Sequence, residues 1–139
     1  MFICDISVFN KYGKQKLDEM LAPLETEWRE LVVMLVLEQL PGISQARLIP
    51  FLQTDKANVT KLLQTMEKKK LIIREVDDQD QRNKICHLTN QGKEVIPRLH
   101  EIIANWEKEC FQGVSKEDLE QYRRISGIIT QNLFREKKI

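Results

Sequence analysis

Residues 56–68 carry Lys56, Asn58, Lys61, Gln64, Thr65 and Lys68 among the apolar residues Val59, Leu62, Leu63 and Met66. The apolar four fall at i, i+3, i+4 and i+7, the spacing of one buried stripe on an α-helix. The polar groups then crowd the opposite face. Asn58, Thr60, Lys61 and Gln64 offer groups that can hydrogen-bond to base edges in a DNA major groove, Asn and Gln toward adenine and Lys toward guanine. Lys56, Thr65 and Lys68 are better placed for phosphates. A solvated helix face explains the same charges without any ligand, so the flanking elements must decide.

Those elements favour a reader of nucleic acid. Ser44 is a good N-cap for a short helix over about 45–53 that turns Leu48, Phe51 and Leu52 inward. Asp55 can cap the basic helix that follows. Two short helices joined by a few residues form a helix-turn-helix pattern. LIIREV (71–76) and KICHL (84–88) are rich in β-branched residues and flank the polar DDQDQRN segment, which reads as a hairpin. Helix-turn-helix followed by hairpin is a winged helix, with the polar loop as its wing. Arg82 is a single cation at the wing tip, and a guanidinium suits the narrow, electronegative minor groove of A·T-rich DNA. A loop whose acids satisfy backbone N–H groups is the plainer reading of the same stretch.

The rest of the chain must hold this unit. Phe2, Ile6, Phe9, Leu17, Met20 and Leu21 recur at helical spacings until Pro23, and Trp28, Leu31, Val32, Leu35 and Leu40 form a second helix that stops at Pro41-Gly42. Thr89 can cap a long helix carrying Val95, Leu99, Ile102, Ile103, Trp106 and Cys110 near heptad spacing, bent early by Pro97. Ser115 caps a last helix with Leu119, Tyr122, Ile125, Ile129 and Leu133. These helices, at 2–21, 90–112 and 116–135, hold more amphipathic surface than a small winged helix needs, and dimerisation would use it.

Composition excludes other classes. At 139 residues, 42% hydrophobic and 31% charged with 5 Gly and 4 Pro, the chain suits one ordered, helix-rich domain. The longest apolar run, Leu31 to Leu37, is too short to cross a bilayer, and the start lacks secretory features, so a cytoplasmic protein with no membrane partner is expected. The net charge of +1 is uneven. Residues 18–40 hold six acids against Arg29, whereas residues 55–74 hold six cations against Asp55 and Glu67, and that second segment is the expected electropositive surface. Cys4, Cys86 and Cys110 are too widely spaced for a disulfide framework. Cys86 and His87 are neighbours on a strand and point to opposite faces, so they form no catalytic dyad. The two histidines and three cysteines show no metal-ligand spacing. No enzyme activity, cofactor or metal is expected.

The segment TDKANVTKLLQTMEKKKLIIREVDDQDQRNKICHLTNQGKEV resembles the MarR family of winged helix-turn-helix transcriptional regulators. The pieces that match are Ser44-Gln45 opening the first helix of the motif, Asp55 to Thr60 opening the recognition helix, Met66-Glu67 near its end, Asp77 to Lys84 in the wing, and Leu88-Thr89 with Gly92 beyond. The resemblance covers residues 44–95 motif by motif and the remainder only in pattern. It implies a homodimer on a pseudo-palindromic DNA site, acting as a repressor released by a small molecule or by thiol oxidation. It also implies that Asp80 is the family's wing aspartate, whose role would be to hold Arg82. Lys70 stands where the family has glycine; a left-handed backbone there would cost a lysine roughly 1 kcal/mol. Pro50 falls inside a helix, where proline removes an N–H. Peroxide-sensing members use a cysteine early in the first helix, but Cys4 lies about three residues nearer Trp28 than theirs and has no basic neighbour.

The sequence thus predicts a mostly α fold with a small β-hairpin wing (α+β): one domain over 1–139, with the winged helix-turn-helix at 25–89 and dimerisation helices at 1–22 and 90–139. The expected DNA-binding set is Ser44, Gln45, Lys56, Asn58, Thr60, Lys61, Gln64, Thr65, Lys68, Asp80, Arg82 and Lys84. Expected partners are double-stranded DNA, a second copy of the chain and a small aromatic or apolar acid as effector, whose pocket Trp28 and Trp106 could line. The alternatives are a winged-helix protein-interaction module or a redox-sensing regulator using Cys4.

Overall fold

The computed structural model describes residues 1–134. They fold into helices α1 (Phe2–Val8), α2 (Lys14–Leu21), α3 (Trp28–Gln39), α4 (Gln45–Leu52), α5 (Lys56–Lys68), α6 (Asn90–Cys110) and α7 (Lys116–Phe134), with a hairpin of β1 (Ile72–Val76) and β2 (Lys84–Leu88) between α5 and α6. This is the mostly helical winged helix-turn-helix expected. The described residues form two compact units, Met1–Trp106 and a second that begins at Glu107.

Local chemistry sets the helix ends. The side chains of Ser44, Asp55, Thr89 and Ser115 accept from the backbone N–H of Arg47 (3.3 Å), Asn58 (2.8 Å), Gly92 (2.9 Å) and Asp118 (3.1 Å). Each such cap is worth about 1 kcal/mol. Helix α4 runs through Pro50 and α6 through Pro97. The expected first helix is instead interrupted by a π-helical turn at Phe9–Gly13, and Trp106 Nε1 donates to the Gly13 carbonyl at 2.9 Å.

Two further ends are tied by distant residues. Trp28 N donates to Asp18 Oδ1 at 2.7 Å, so the start of α3 is capped from α2. Arg29 Nε donates to the Leu52 carbonyl at 2.8 Å, closing the end of α4 from α3. The α4–α5 connection then turns through Gln53, at φ 53°.

The first unit packs Leu21, Leu31, Met34 and Leu37 against Leu48, Leu52, Val59, Leu63 and Met66, all buried, with Ile72, Cys86 and Leu99 closing the layer. Fully burying side chains of this size stabilises by roughly 2 kcal/mol each. Helix α5 ends in a Schellman turn: Lys70 N donates to the Glu67 carbonyl (2.9 Å) and Leu71 N to that of Met66 (3.1 Å), with Lys70 left-handed at φ 63°. Helix α6 starts against this turn, and a Cβ on Gly92 would lie 2.2 Å from the Leu71 carbonyl oxygen. Only glycine permits that approach.

The hairpin is antiparallel, pairing Ile72 with Leu88 and Val76 with Lys84. Cys86 also exchanges backbone hydrogen bonds with Gly42 (3.0 Å) and Ile43 (2.9 Å), fastening the wing's second strand to the turn before α4. In the second unit, Phe111 and Tyr122 pack with ring centroids 5.3 Å apart and ring planes tilted by 59°. Exposed apolar residues gather on α1 and its π turn (Phe2, Ile3, Ile6, Phe9) and separately on α7 (Tyr122, Ile125, Ile128, Leu133). Among the described residues no helix is long and apolar enough to cross a membrane.

Candidate nucleic-acid interface

Helix α5 buries Val59, Leu63 and Met66 and leaves Lys56, Asn58, Lys61, Gln64, Thr65 and Lys68 exposed. The buried stripe therefore aims the polar row outward. Asn58 Nδ2 donates to Thr54 Oγ1 at 3.0 Å, which orients the amide of this exposed side chain. The Thr65 hydroxyl donates to the Lys61 carbonyl at 3.1 Å. Gln64 and Lys61 carry the longer reach.

Three residues of the sequence-derived set serve the protein itself. Ser44 Oγ is the cap of α4. Gln45 Nε2 donates to Thr60 Oγ1 at 2.8 Å, and Thr60 Oγ1 donates to the Lys56 carbonyl at 3.0 Å. Gln45 Oε1 in turn accepts from Arg74 Nη1 at 3.0 Å. Thr60 is thus turned toward α4 and away from the outward row.

At the wing, Asp80 Oδ1 accepts from Arg82 N (3.1 Å) and Arg82 Nε (3.3 Å), while Asp80 Oδ2 accepts from Asn83 Nδ2 (3.2 Å). The loop closes through Asp77 N to the Asn83 carbonyl at 3.0 Å. The Arg82 side chain is 92% exposed, so Asp80 holds the base of a guanidinium that projects into solvent. Lys84 is exposed at the start of β2.

The electropositive segment is narrower than the charge count implies. Lys69 Nζ lies 3.0 Å from both oxygens of Glu30, whose side chain is 5% exposed, and also donates to the Glu25 carbonyl at 2.6 Å. Arg74 pairs with Glu67 at 2.7 Å. Both cations are neutralised inside the fold. The run Lys68-Lys69-Lys70 thus has three jobs: an outward charge, an internal ion pair and a left-handed turn. Sequence reasoning missed Arg74, although a signal was present. In IIREV the period of two places Arg74 on the same face as the buried Ile72.

A second site lies apart from this face. An apolar pocket of about 530 Å³ is lined by Trp28, Trp106, Phe9, Leu31, Phe51 and Lys14, among others. The structure thus brings Trp28 and Trp106 to one pocket. Lys14 Nζ sits 3.8 Å from the Trp28 ring centroid and donates to Gln53 Oε1, with Arg29 Cζ 4.7 Å from the same ring system. Burial, then the nearby Arg29 charge, lowers the Lys14 pKa. The thiols offer less. Burial pushes Cys86 up to about 11 and also raises Cys110, whose glutamate neighbours Glu109 and Glu107 add to the effect, so neither is an activated thiolate. Cys4 is exposed on α1. Among the described residues no cluster of three or more His, Cys, Asp or Glu could hold a metal ion.

Known proteins share this arrangement. Residues 27–84 match the model of the MarR family. A crystal structure of MarR superposes with a TM-score of 0.85 at 22% identity, covering 96% of this chain and 98% of that one. The MarR transcriptional regulator from Methanosarcina mazei Go1 superposes at 0.83, also with 22% identity, covering 95% and 96%. CouR, a transcriptional repressor bound to a 23-mer DNA duplex, superposes at 0.79 with 19% identity, covering 91% and 89%. Over residues 27–84 the chain is therefore similar to the MarR family, and its fold is shared with the MarR structures.

Proposed function

We propose that the protein is a transcription regulator that binds double-stranded DNA as a homodimer, with α5 in the major groove and the wing over the adjacent minor groove. The observation that carries this reading is the outward row of Asn58, Lys61, Gln64 and Lys68 on α5. Asn58 and Gln64 are suited to adenine and Lys61 to guanine. Lys56, Thr65, Lys68 and Lys84 engage phosphates, and Arg82, steadied by Asp80, enters the minor groove. Ser44, Gln45 and Thr60 act by holding α4 and α5. The similarity in fold to CouR, solved on a DNA duplex, supports the same partner here.

The exposed apolar residues of α1 and α7 support a second copy of the chain as partner, since such patches left in water favour association. In a dimer, two copies of α5 enter successive major grooves when they stand about 34 Å apart. We read the protein as a cytoplasmic repressor released by a small aromatic or apolar acid. The pocket beside Trp28 and Trp106 has an apolar lining for the body of such a ligand and Lys14 for its charge. Occupancy would act by changing the spacing of the two α5 helices. The test is selection of bound fragments from genomic DNA at low and physiological salt. Enrichment of a pseudo-palindromic sequence that persists at physiological salt is expected. Fragments without shared sequence, or binding only at low salt, would refute it and favour a protein-interaction module.

A further inference from the structure

The polar groups between the wing and the two motif helices form one directed chain. The Arg74 side chain is 7% exposed. Its Nε and Nη2 lie 2.9 and 2.7 Å from Glu67 Oε1, and its Nη1 donates to Gln45 Oε1 at 3.0 Å. Gln45 Nε2 then donates to Thr60 Oγ1 at 2.8 Å, and that hydroxyl donates to the Lys56 carbonyl at 3.0 Å. The direction is forced. A guanidinium can only donate, so the amide oxygen of Gln45 must face it, and its NH₂ is left to donate to Thr60. Each nitrogen or hydroxyl named in the series donates to at least one acceptor.

We infer that Arg74 is a positioning residue for DNA reading, fixing strand β1 of the wing, helix α4 and helix α5 as one body through Glu67 and the Gln45–Thr60 relay. This rests on the DNA-binding reading above. Helix α5 is gripped at Thr60 and at Glu67, seven residues or about 10 Å along its axis. A helix held at two points can neither pivot nor slide against the wing that carries Arg82. Gln45 and Thr60 take part as struts, and base choice falls to Asn58, Lys61 and Gln64. A planar fork with donors at fixed angles serves two acceptors on different helices, which a lysine ammonium on a flexible stem cannot reproduce.

The test uses the full chain with Arg74→Lys, Gln45→Met, the double variant and Thr60→Val. Each is titrated against the selected operator and a scrambled duplex of equal length at the same salt, with thermal unfolding measured in parallel. The Arg74 Nε–H resonance is followed by NMR in the free protein. Arg74→Lys and Gln45→Met are each expected to weaken operator binding about tenfold, as loss of a hydrogen bond to a charged group does, with scrambled-duplex affinity unchanged. The double variant should be no worse than either single one, because both break the same chain. Gln45→Met and Thr60→Val should also shift the Arg74 Nε–H signal and speed its exchange. Operator affinity unchanged in Arg74→Lys, parallel loss on both duplexes, or losses that multiply in the double variant would overturn the inference. A parent protein that does not distinguish operator from scrambled DNA refutes the DNA reading instead. The Nε–H signal then decides alone whether the relay exists, an unmoved signal in Gln45→Met counting against it.

Discussion

Lys70 offers a direct check on how the recognition helix is terminated. It stands at φ 63°, with its own N–H on the Glu67 carbonyl and the next N–H on the Met66 carbonyl. Left-handed backbone costs a residue with a Cβ about 1–2 kcal/mol. Glycine escapes that strain but is freer in the unfolded chain, which returns roughly 0.5–1 kcal/mol. Lys70→Gly is therefore expected to stabilise the protein by about 1 kcal/mol, or about 3–5 °C in Tm for a chain of this size. Lys70→Ala controls for the lost charge: it removes the ammonium and keeps the strain, and should leave Tm almost unchanged. Thermal unfolding of the three proteins at one ionic strength is the assay. Equal melting of Lys70→Gly and Lys70→Ala would refute the reasoning, because the left-handed turn would then store no strain.

Other outcomes follow from the same geometry. Gly92→Ala sets a Cβ 2.2 Å from the Leu71 oxygen and should destabilise by about 1–3 kcal/mol in urea unfolding. Lys69→Ala, which strands the buried Glu30 carboxylate, should lower stability by about 1–3 kcal/mol, whereas Lys68→Ala should leave stability alone and reduce the salt slope of DNA binding by about one unit per phosphate contact in each half-site. Arg82→Ala should cost more affinity on A·T-rich than on G·C-rich flanks in anisotropy titrations, with Asp80→Ala acting in the same direction more mildly. Burial raises the Glu27 pKa, so the folded state binds that proton more tightly than the unfolded chain. Its contribution favours folding below the ordinary carboxylate range and is lost as pH rises through the raised value. Glu27→Gln should accordingly gain stability relative to the parent at about pH 7 and lose that gain at about pH 4 in chemical unfolding.

What the sequence made legible were features set by near neighbours. The apolar stripe of α5, the caps at Ser44, Asp55, Thr89 and Ser115, and the β-branched strands flanking the wing loop all depend on residues within a turn or a hairpin of each other. The contact of Asp80 with Arg82, two residues apart, belongs with them. What stayed hidden were pairings closed only by the tertiary fold. Asp18 caps α3 across ten residues, Arg29 closes α4 across 23, and Lys69 meets Glu30 across 39. Those partners are polar groups that no periodicity brings together, so Lys69 was indistinguishable from the outward cations, whereas the period of two in β1 did set Arg74 on the face of the buried Ile72. The π turn at Phe9–Gly13 was likewise unreadable, because the apolar spacing on either side of it remains helical.

The central claim is that two α5 helices of one dimer read two half-sites on the same face of DNA. Its most direct measurement compares the selected operator with the same duplex carrying about five extra base pairs, half a helical turn, between the half-sites. The insertion is expected to move one half-site to the opposite face and to drop affinity to that of scrambled DNA, with about ten extra base pairs restoring part of it. Equal affinity for the operator and its half-turn insertion would contradict a dimer reading both half-sites at once.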